Sequence, residues 1–388
     1  MTPLKSLKLL HIISSVDPKE GGPVEGIRQR GIFLRNHGHQ VEVLSLDDPK
    51  APHVAAYSLP VHAVGPSWRK FAYNKNIQPW LKANARNYDH IIIHGLWQYH
   101  GHAASKTLRK MGIPYNVFTH GMLDPWFKHT YPIKHLKKWP YWLTAEYHVL
   151  RNARHVYFTS EDERIRARES FWLYRANEQV VPYGTTAPPE DKQKFSELFY
   201  KNYPHLRGSH LFLYLSRIHP KKGCDLLIEA FSKIATANKN IHLLMAGPAE
   251  DSILYQLKEQ AKQLGITHHI TWLGMLKGEE KWSAFHAANV FILPSHQENF
   301  GIAVAEALGS GLPVLISDKI NIWREIESDG AGFVAADTTE GTIKNINKWL
   351  ALSPTEQQTM SDKALACFRK RYTIDAMANG LISALTNN

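Results

Sequence analysis

The sequence contains few of the residues and motifs that build disulfide or metal sites. Only two cysteines, Cys224 and Cys367, occur in 388 residues, which excludes a disulfide framework and a cysteine-rich metal site and indicates a reducing compartment. The patterns Asp-x-Asp, His-Glu-x-x-His and Cys-x-x-Cys are all missing. We therefore predict neither a metal site nor a cofactor.

Two common nucleotide-binding motifs and a membrane span are also missing. Neither Gly-x-Gly-x-x-Gly after a strand nor Gly-x-x-x-x-Gly-Lys-Ser/Thr occurs, which argues against a dehydrogenase and a P-loop NTPase. No apolar run approaches the roughly 18 residues of a membrane helix. The N-terminal segment MTPLKSLKLLHIISS resembles a signal sequence, but Lys8 and His11 interrupt it and no cleavage site follows. We interpret it as a first β-strand of a cytoplasmic protein.

Acidic residues are outnumbered by basic ones, giving a formal net charge of +11. Such an excess indicates an anionic partner, which is a nucleic acid, an anionic bilayer or a phosphorylated ligand. Residues 126–155 interleave Lys, Arg and His with Trp and Tyr, and their one acid is Glu146. This mixture suits a membrane interface or stacking on nucleic acid bases, unless the aromatic residues simply belong to the core.

Apolar, strand-like runs alternate with helical stretches in both halves of the chain. This alternation predicts an α/β protein with two doubly wound parallel sheets, and 388 residues exceed what one hydrophobic core usually serves. The Pro-rich stretch VVPYGTTAPPE (residues 180–190) is the best linker, so we place the domain boundary near Gly184.

Residues 294–313, PSHQENFGIAVAEALGSGLP, carry the strongest indication of a ligand site. The preceding run VFILPS predicts a buried strand, and a helix is predicted after the Asn-Phe-Gly turn. Gly301 lets the backbone approach a ligand, and the N–H groups of the first helical turn favour an anion. Glu298 and Glu306 indicate that the ligand has hydroxyl groups, which carboxylates can orient. A phosphate joined to a sugar therefore suits both the N–H groups and the carboxylates of this loop.

A second strand and turn supply positive charge for such a phosphate. In LFLYLSRIHPKKGCDLLIEAF (residues 211–231), Arg217 lies where the strand leaves the core, and Lys221 and Lys222 follow before a helix. The planar guanidinium of Arg217 suits bidentate phosphate recognition. The lysines alone would more commonly form a solvated basic turn.

These two segments resemble those of a known enzyme family. SRIHPKKG followed by ENFGIAVAEALGSGLPVL resembles the signature of the GT-B retaining glycosyltransferases of family 4, an Arg and Lys pair followed by Glu, seven residues and Glu. Residues 11–46 resemble the family's first strand, Gly-rich loop and helix. HGMLDPW (residues 120–126) is similar to a segment of its polysaccharide-assembly members.

The resemblance implies two Rossmann-like domains that face a cleft. Residues 1–184 would bind the acceptor and residues 185–370 the nucleotide-sugar. A C-terminal helix, residues 371–388, would cross back to the N-terminal domain.

The resemblance also assigns roles in the C-terminal domain. Glu306 would hold the ribose hydroxyls and Glu298 the transferred sugar, while Arg217 and Lys222, or Lys221 in its place, would neutralise the leaving diphosphate. The remaining expected donor contacts come from the backbone near two strand ends and from the turn before the helix: Gly247, Gly274, Met275, Leu276, Phe300, Gly301 and Ile302.

In the N-terminal domain, Gly21 and Gly22 lie between a strand and a helix, where a phosphate can approach the backbone. His120 follows the strand YNVFT, with Asp124 and Trp126 just beyond it. It is our candidate for contact with the donor sugar or the acceptor, although a lone histidine is more often structural. Three residues at the preceding strand end are further candidates on the acceptor side: His94, Trp97 and His100.

We therefore expect a retaining, metal-independent hexosyltransferase that moves a sugar from a nucleotide-diphosphate donor to a glycan acceptor. The resemblance favours a lipid-linked acceptor, cell-surface polysaccharide biosynthesis and a peripheral position at the inner face of the cell membrane. Two alternatives stay open: a nucleotide-sugar epimerase or phosphorylase on the same scaffold, and a basic nucleic-acid-binding protein. No recognisable nucleic-acid module supports the second, and we expect no nucleic acid partner.

Overall fold

The computed structural model describes residues 6–68 and 71–386. The chain divides into two compact units, which we call the first unit (residues 1–184 and 374–388) and the second unit (residues 185–373). Each unit contains one parallel sheet flanked by helices. The predicted α/β class with two parallel sheets is confirmed.

The sheet of the first unit has seven described strands in the order β3-β2-β1-β4-β5-β6-β7. Its central strands are mostly apolar and almost entirely buried, as is usual for a parallel sheet covered by helices, although β1 and β4 also contain histidines. The order reverses between β1 and β4, and ligands of such sheets bind at the carboxyl ends beside the reversal. The strands are β1 (Lys8–Ile13), β2 (Gln40–Ser45), β3 (Val61–Ala63), β4 (His90–His94), β5 (Asn116–Phe118), β6 (His155–Phe158) and β7 (Glu178–Val180).

Helices connect successive strands of this sheet, and the connection from β5 to β6 contains three of them. A π-helical turn at Trp142–Glu146 joins the last two of that connection. The helices are α1 (Gly22–Asn36), α2 (Pro52–Ala55), α3 (Ile77–Asn84), α4 (Tyr99–Lys110), α5 (Trp126–Thr130), α6 (Pro132–Tyr141), α7 (Tyr147–Arg151) and α8 (Glu161–Ala167).

The sheet of the second unit has six described strands in the order β10-β9-β8-β11-β12-β13. Its reversal lies between β8 and β11, the two strands whose loops carry the predicted cations and glutamates. The strands are β8 (His210–Leu215), β9 (Ile241–Ala246), β10 (Ile270–Gly274), β11 (Val290–Leu293), β12 (Val314–Ser317) and β13 (Gly332–Ala335).

The second unit contains eight described helices, several of which pack directly on its sheet. The last of them starts with a capping box, in which Ser353 and Glu356 bond each other's backbone N–H groups. The helices are α9 (Lys192–Asn202), α10 (Cys224–Ala235), α11 (Asp251–Gln263), α12 (Gly278–Ala287), α13 (Ile302–Gly309), α14 (Trp323–Asp329), α15 (Thr339–Leu350) and α16 (Pro354–Arg371).

The final helix, α17 (Ile374–Thr386), belongs to the first unit, where it packs on α1. It starts three residues after the predicted limit at residue 371. Residue 371 is instead the last residue of α16, and it remains in the second unit, where Arg371 donates to Asp329 at 2.6 Å.

None of the helices within residues 6–68 and 71–386 has the length and apolar content to cross a membrane.

Candidate functional site

The loop between β11 and α13 holds its shape through Gly301. This residue has φ +75 and caps α13, a left-handed conformation that residues with a Cβ adopt at a cost. A Cβ at Gly301 would lie 3.1 Å from Val304 Cγ2 and 3.3 Å from Glu298 Cγ. The backbone therefore turns tightly. The N–H groups of Val304 and Ala305 donate to the Gly301 carbonyl oxygen at 2.9 and 3.1 Å, which leaves the first two N–H groups of α13, those of Ile302 and Ala303, available to a ligand.

Lys222 and Glu298 form an ion pair across the reversal of strand order. Lys222 is buried, and its Nζ also lies 3.4 Å from the Gln297 carbonyl oxygen. Gly223 makes this approach possible, because its φ is +65 and a Cβ there would lie 2.2 Å from the Pro294 carbonyl oxygen. The structure thus brings together two of the predicted site residues from segments 76 positions apart.

Glu306 lies on the first turns of α13 and is buried, in contrast to an ordinary helix-surface glutamate. Its Oε1 accepts a hydrogen bond of 2.7 Å from Lys281 Nζ of α12. Sequence reasoning missed Lys281, which follows two glutamates at the start of an unremarked helix and lies 25 positions from its partner. No motif spacing in the sequence marks this contact.

Arg217 and Lys221 differ from Lys222 in their surroundings. Arg217 is exposed at the end of β8, and its guanidinium makes no hydrogen bond or ion pair with the described residues. The backbone of Lys221 holds the neighbouring loop, since its carbonyl oxygen accepts from the Ser295 hydroxyl at 3.1 Å and the His296 N–H at 2.9 Å. Lys222 is therefore the lysine whose side chain is directed to Glu298.

The end of β9 lies beside the end of β8, and the end of β10 lies beside that of β9. Gly247 has φ +144, and a Cβ there would lie 1.8 Å from the Ser216 carbonyl oxygen, so a glycine is required for this approach. The Gly247 N–H donates to the Gly274 carbonyl oxygen at 2.7 Å. Met275 follows with an exposed side chain, and Leu276 is half-buried.

In the first unit, Gly21 lies in the exposed turn before α1, and Gly22 is the first residue of that helix. Gly21 has φ +82, and a Cβ there would meet no atom within 4 Å, so its backbone borders open space. The Tyr183 hydroxyl donates to the Gly22 carbonyl oxygen at 2.8 Å. This bond holds the start of α1 against the segment at residue 184, where the first part of this unit ends.

His120 follows β5 with φ +51, an uncommon conformation for histidine. A carboxylate that sequence reasoning missed, Glu163 of α8, holds this backbone in place. It accepts from the Thr119 hydroxyl at 2.7 Å, from the Gly121 N–H at 2.6 Å and from the Thr159 N–H at 2.7 Å. The imidazole of His120 is half-buried and hydrogen-bonds that of His94.

His94 and His100, two candidates for acceptor contact, lie in the interior. The His100 Nε2 bonds the His94 carbonyl oxygen at 2.8 Å, which closes the turn into α4. Asp124 is also buried, and its side chain accepts from the N–H of Trp126, the first residue of α5, at 2.8 Å. Direct contact of His94 or His100 with an acceptor is therefore excluded in this conformation.

Trp97 is the acceptor-side candidate that keeps partial exposure. Its backbone N–H donates to Glu146 Oε1 at 2.6 Å, and its indole N–H donates to the Met122 carbonyl oxygen at 3.2 Å. Lys138 Nζ lies 4.4 Å from the indole centroid. Burial raises the pKa of Glu146 to about 8, so its carboxyl is largely protonated at neutral pH.

Among residues 6–68 and 71–386, no group of three or more His, Cys, Asp and Glu side chains has the geometry to hold a metal ion.

Two family models match most of the chain. One, described as glycosyl transferases group 1, matches residues 197–365, and the other, described as a glycosyl transferase 4-like domain, matches residues 21–184. The match in the second half contains Lys222, Glu298 and Glu306.

Curated relatives match shorter segments. Mannosylfructose-phosphate synthase of Agrobacterium fabrum is 35% identical over 120 residues, covering 29% of this chain and 26% of the relative. Lipopolysaccharide 1,2-N-acetylglucosaminetransferase of Salmonella typhimurium is 28% identical over 187 residues, covering 46% and 48%. The chain thus spans less than half the length of these two relatives.

A solved structure matches the whole fold. Anabaena HepE in complex with UDP and glucose superposes with a TM-score of 0.76 at 17% identity, covering 98% of this chain and 100% of that one. At this identity the likeness shows a shared fold.

Proposed function

This chain belongs to the GT-B glycosyltransferases of the family 4 type, and on that basis we propose that it transfers a hexose, with retention of configuration, from a nucleotide-diphosphate donor to a glycan acceptor. The observation that carries the proposal is the buried Lys222 paired with Glu298 beside the N-terminus of α13, which no side chain caps. A cation, anion-binding amides and two carboxylates at one strand-order reversal suit a sugar joined to a diphosphate.

The charges divide between the two halves of such a donor. Arg217 and Lys222 supply positive charge for the diphosphate, and the amides of Phe300, Gly301 and Ile302 supply neutral donors. Glu306 is oriented by Lys281 and accepts from the ribose hydroxyls. Glu298 positions the transferred sugar, and the backbone of residues 247 and 274–276 borders the base.

Cleavage of the sugar–phosphate bond develops negative charge on the leaving diphosphate. Lys222 is already desolvated in the free protein, so its interaction with that charge is stronger than in water and needs little reorganisation. In the proposed retaining reaction the acceptor attacks the face from which the diphosphate leaves. A diphosphate oxygen takes the acceptor's proton, so the proposed reaction needs no protein nucleophile, and Glu298 serves to position the transferred sugar.

In the first unit, His120 is the proposed contact to the donor sugar or the acceptor. Glu163 fixes its backbone, and the turn at Gly21, which borders open space, is the proposed place where a phosphate approaches the backbone of Gly21 and Gly22. Trp97, which is braced by Glu146 and Lys138, is the proposed aromatic wall for the acceptor.

A screen of UDP-, GDP-, ADP- and dTDP-sugars for thermal stabilisation and slow donor hydrolysis tests the function. We expect one donor class to stabilise the protein, with UDP-sugars first in view of the HepE complex, and no effect of a chelator. Lys222→Met should abolish the stabilisation, and the neighbouring Lys221→Met should retain it. Loss of activity with chelator, or equal loss in both variants, contradicts the proposed site.

The proposed acceptor is lipid-linked, and the enzyme is proposed to lie peripherally at the inner face of the cell membrane during surface polysaccharide assembly. The Salmonella relative, which by its name acts on lipopolysaccharide, supports a lipid-linked acceptor. Helix α6 supports the membrane contact. Its His135 and Trp139 rings pack on Phe171 at 4.3 and 5.4 Å, while Ile133 and Leu136 are 71% and 68% exposed.

Lysines flank this apolar stripe of α6 at positions 134 and 137, so the exposed face combines apolar insertion with attraction to anionic headgroups. We expect co-sedimentation with phosphatidylserine-containing vesicles that decreases with salt. The double variant Ile133→Ser, Leu136→Ser should lose binding, whereas Tyr255→Ser, which removes an exposed ring of the second unit, should not. Equal pelleting with neutral vesicles contradicts the proposed membrane contact.

A further inference from the structure

Three histidines of the first unit form a hydrogen-bonded series from the core to the surface. His11 Nδ1 lies 2.7 Å from His94 Nε2, and His94 Nδ1 lies 2.9 Å from His120 Nε2. His11 belongs to β1, His94 to β4 and His120 to the turn after β5, and these three strands are neighbours in the sheet. His11 and His94 are buried, and His120 is half-buried.

The protons of this series are coupled. A neutral imidazole carries one N–H and one bare nitrogen, so each ring that donates at one nitrogen must accept at the other. Burial, together with the positive charge of Arg30, lowers the pKa of His11 and His120 to about 3 and that of His94 well below its usual value. All three rings are therefore neutral at physiological pH, and two arrangements remain: every ring protonated at Nδ1, or every ring protonated at Nε2.

The surroundings of His11, at the buried end of the series, determine which of the two proton arrangements is favoured. His11 Nε2 is buried and has no hydrogen-bond partner among the described residues, and neither do Arg30 Nε and Nη1. Arg30 is itself buried, stacked 4.9 Å from the Phe118 ring centroid. Near the positive charge of Arg30, an unprotonated His11 Nε2, which presents a lone pair, is more favourable than a protonated His11 Nε2, whose N–H would have no acceptor. His11 then carries its proton on Nδ1, and both other rings follow.

The protonation of His11 determines which nitrogen of His120 carries its proton. With Nε2 accepting from His94, the His120 proton lies on Nδ1, which has no hydrogen-bond partner among the described residues and is not one of the buried unpartnered atoms. We infer that His11 and His94 are positioning residues that, together with Arg30, present His120 to a substrate oxygen as a neutral N–H donor and exclude it as a base. The function of that donor depends on the proposed transfer reaction; the proton arrangement does not.

The arrangement is measurable in the free protein. Long-range proton–nitrogen NMR correlations of labelled imidazoles distinguish Nδ1–H from Nε2–H rings, and the His120 signal is assigned by its loss in His120→Gln. We expect His120 to be a neutral Nδ1–H ring. An Nε2–H ring or a charged ring at pH 7 overturns the inference.

Two variants of nearly identical shape test the relay itself. In His11→Asn the side-chain amide donates to His94 and preserves the arrangement. In His11→Asp the carboxylate accepts from His94 Nε2, which reverses both rings and leaves His120 Nδ1 without a proton. We expect the Nε2–H form of His120 in the Asp variant alone, with kcat/KM about tenfold below the Asn variant, the effect of one hydrogen bond. His39→Asn, which replaces a buried histidine outside the series, should change neither.

The same tautomer in both His11 variants, or equal kcat/KM despite opposite tautomers, contradicts the inference. If the Asp variant fails to fold, the wild-type and Asn tautomers still decide it. A negative donor screen with the expected tautomers would reject the transfer function and leave the relay. A positive donor screen with the opposite tautomers would support the transfer function and reject the relay.

Discussion

Removing either partner of the Lys222–Glu298 ion pair should have different effects on stability and on catalysis. The Lys222 side chain is 8% exposed and that of Glu298 is 23% exposed. Breaking a buried pair costs roughly 3–5 kcal/mol, because the remaining charge stays desolvated. Glu298→Leu strands the more buried partner, leaving Lys222 with the Gln297 carbonyl oxygen at 3.4 Å. We expect a loss near the lower end, about 3 kcal/mol.

Lys222→Met instead leaves Glu298, which retains water and the Asn299 N–H at 3.2 Å, so the stability loss should be about 1 kcal/mol. Its larger effect falls on catalysis, where loss of one preorganised charge lowers kcat by roughly 10²–10³. Urea-dependent hydrogen exchange of β8 and β11 amides reports the stability of the second unit alone. Glu197→Leu, which breaks the exposed pair with Arg207, is the control and should have no measurable effect. Equal destabilisation by Lys222→Met and Glu298→Leu would refute the reasoning that Lys222 is the desolvated cation.

Three further results are expected. Glu306→Gln should raise the donor Kd about tenfold, since a charge-assisted hydrogen bond becomes a neutral one; calorimetric titration with an unchanged Kd would argue against the ribose contact. Gly301→Ala should cost about 1–2 kcal/mol, because φ +75 is left-handed and the added Cβ would lie 3.1 Å from Val304 Cγ2; unaltered urea unfolding would contradict this. Burial raises the pKa of Glu146 from 4.5 to about 8, so its contribution to stability is present below pH 4.5 and lost as the pH rises through 8. Between these values the folded state binds the additional proton, and Glu146→Gln should remove a slope of about 1.4 kcal/mol per pH unit from the unfolding free energy of the first unit; an identical pH dependence in the variant would show that this carboxyl is not the cause.

The sheets could be predicted because their signal is local. The run VFILPS contains β11 (Val290–Leu293), and the Asn-Phe-Gly turn precedes α13 at Ile302, as the apolar pattern and glycine indicated. The start of α17 was set three residues too early, since the sequence around residue 371 is amphipathic on both sides. At the end of α16, Arg371 pairs with Asp329, 42 positions away, and this contact within the second unit leaves no local signal in the sequence.

The site was less predictable where it depends on tertiary contacts. Its glutamates and cations follow strand ends, which the parallel-sheet pattern identifies. Their partners do not: Lys281 reaches Glu306 from another helix, and Glu163 reaches Gly121 across 42 residues. The burial of His94 and His100 could not be predicted either. A histidine next to a strand end is expected to be exposed unless the turn that covers it is known.

A crystal structure with an unhydrolysed nucleotide-diphosphate sugar tests the central claim most directly. We expect diphosphate oxygens within about 3 Å of Lys222 Nζ and the amides at the start of α13, with Glu306 on the ribose hydroxyls and Glu298 on the transferred sugar. A nucleotide bound away from these residues, or a diphosphate that leaves Lys222 paired with Glu298 alone, would contradict the account.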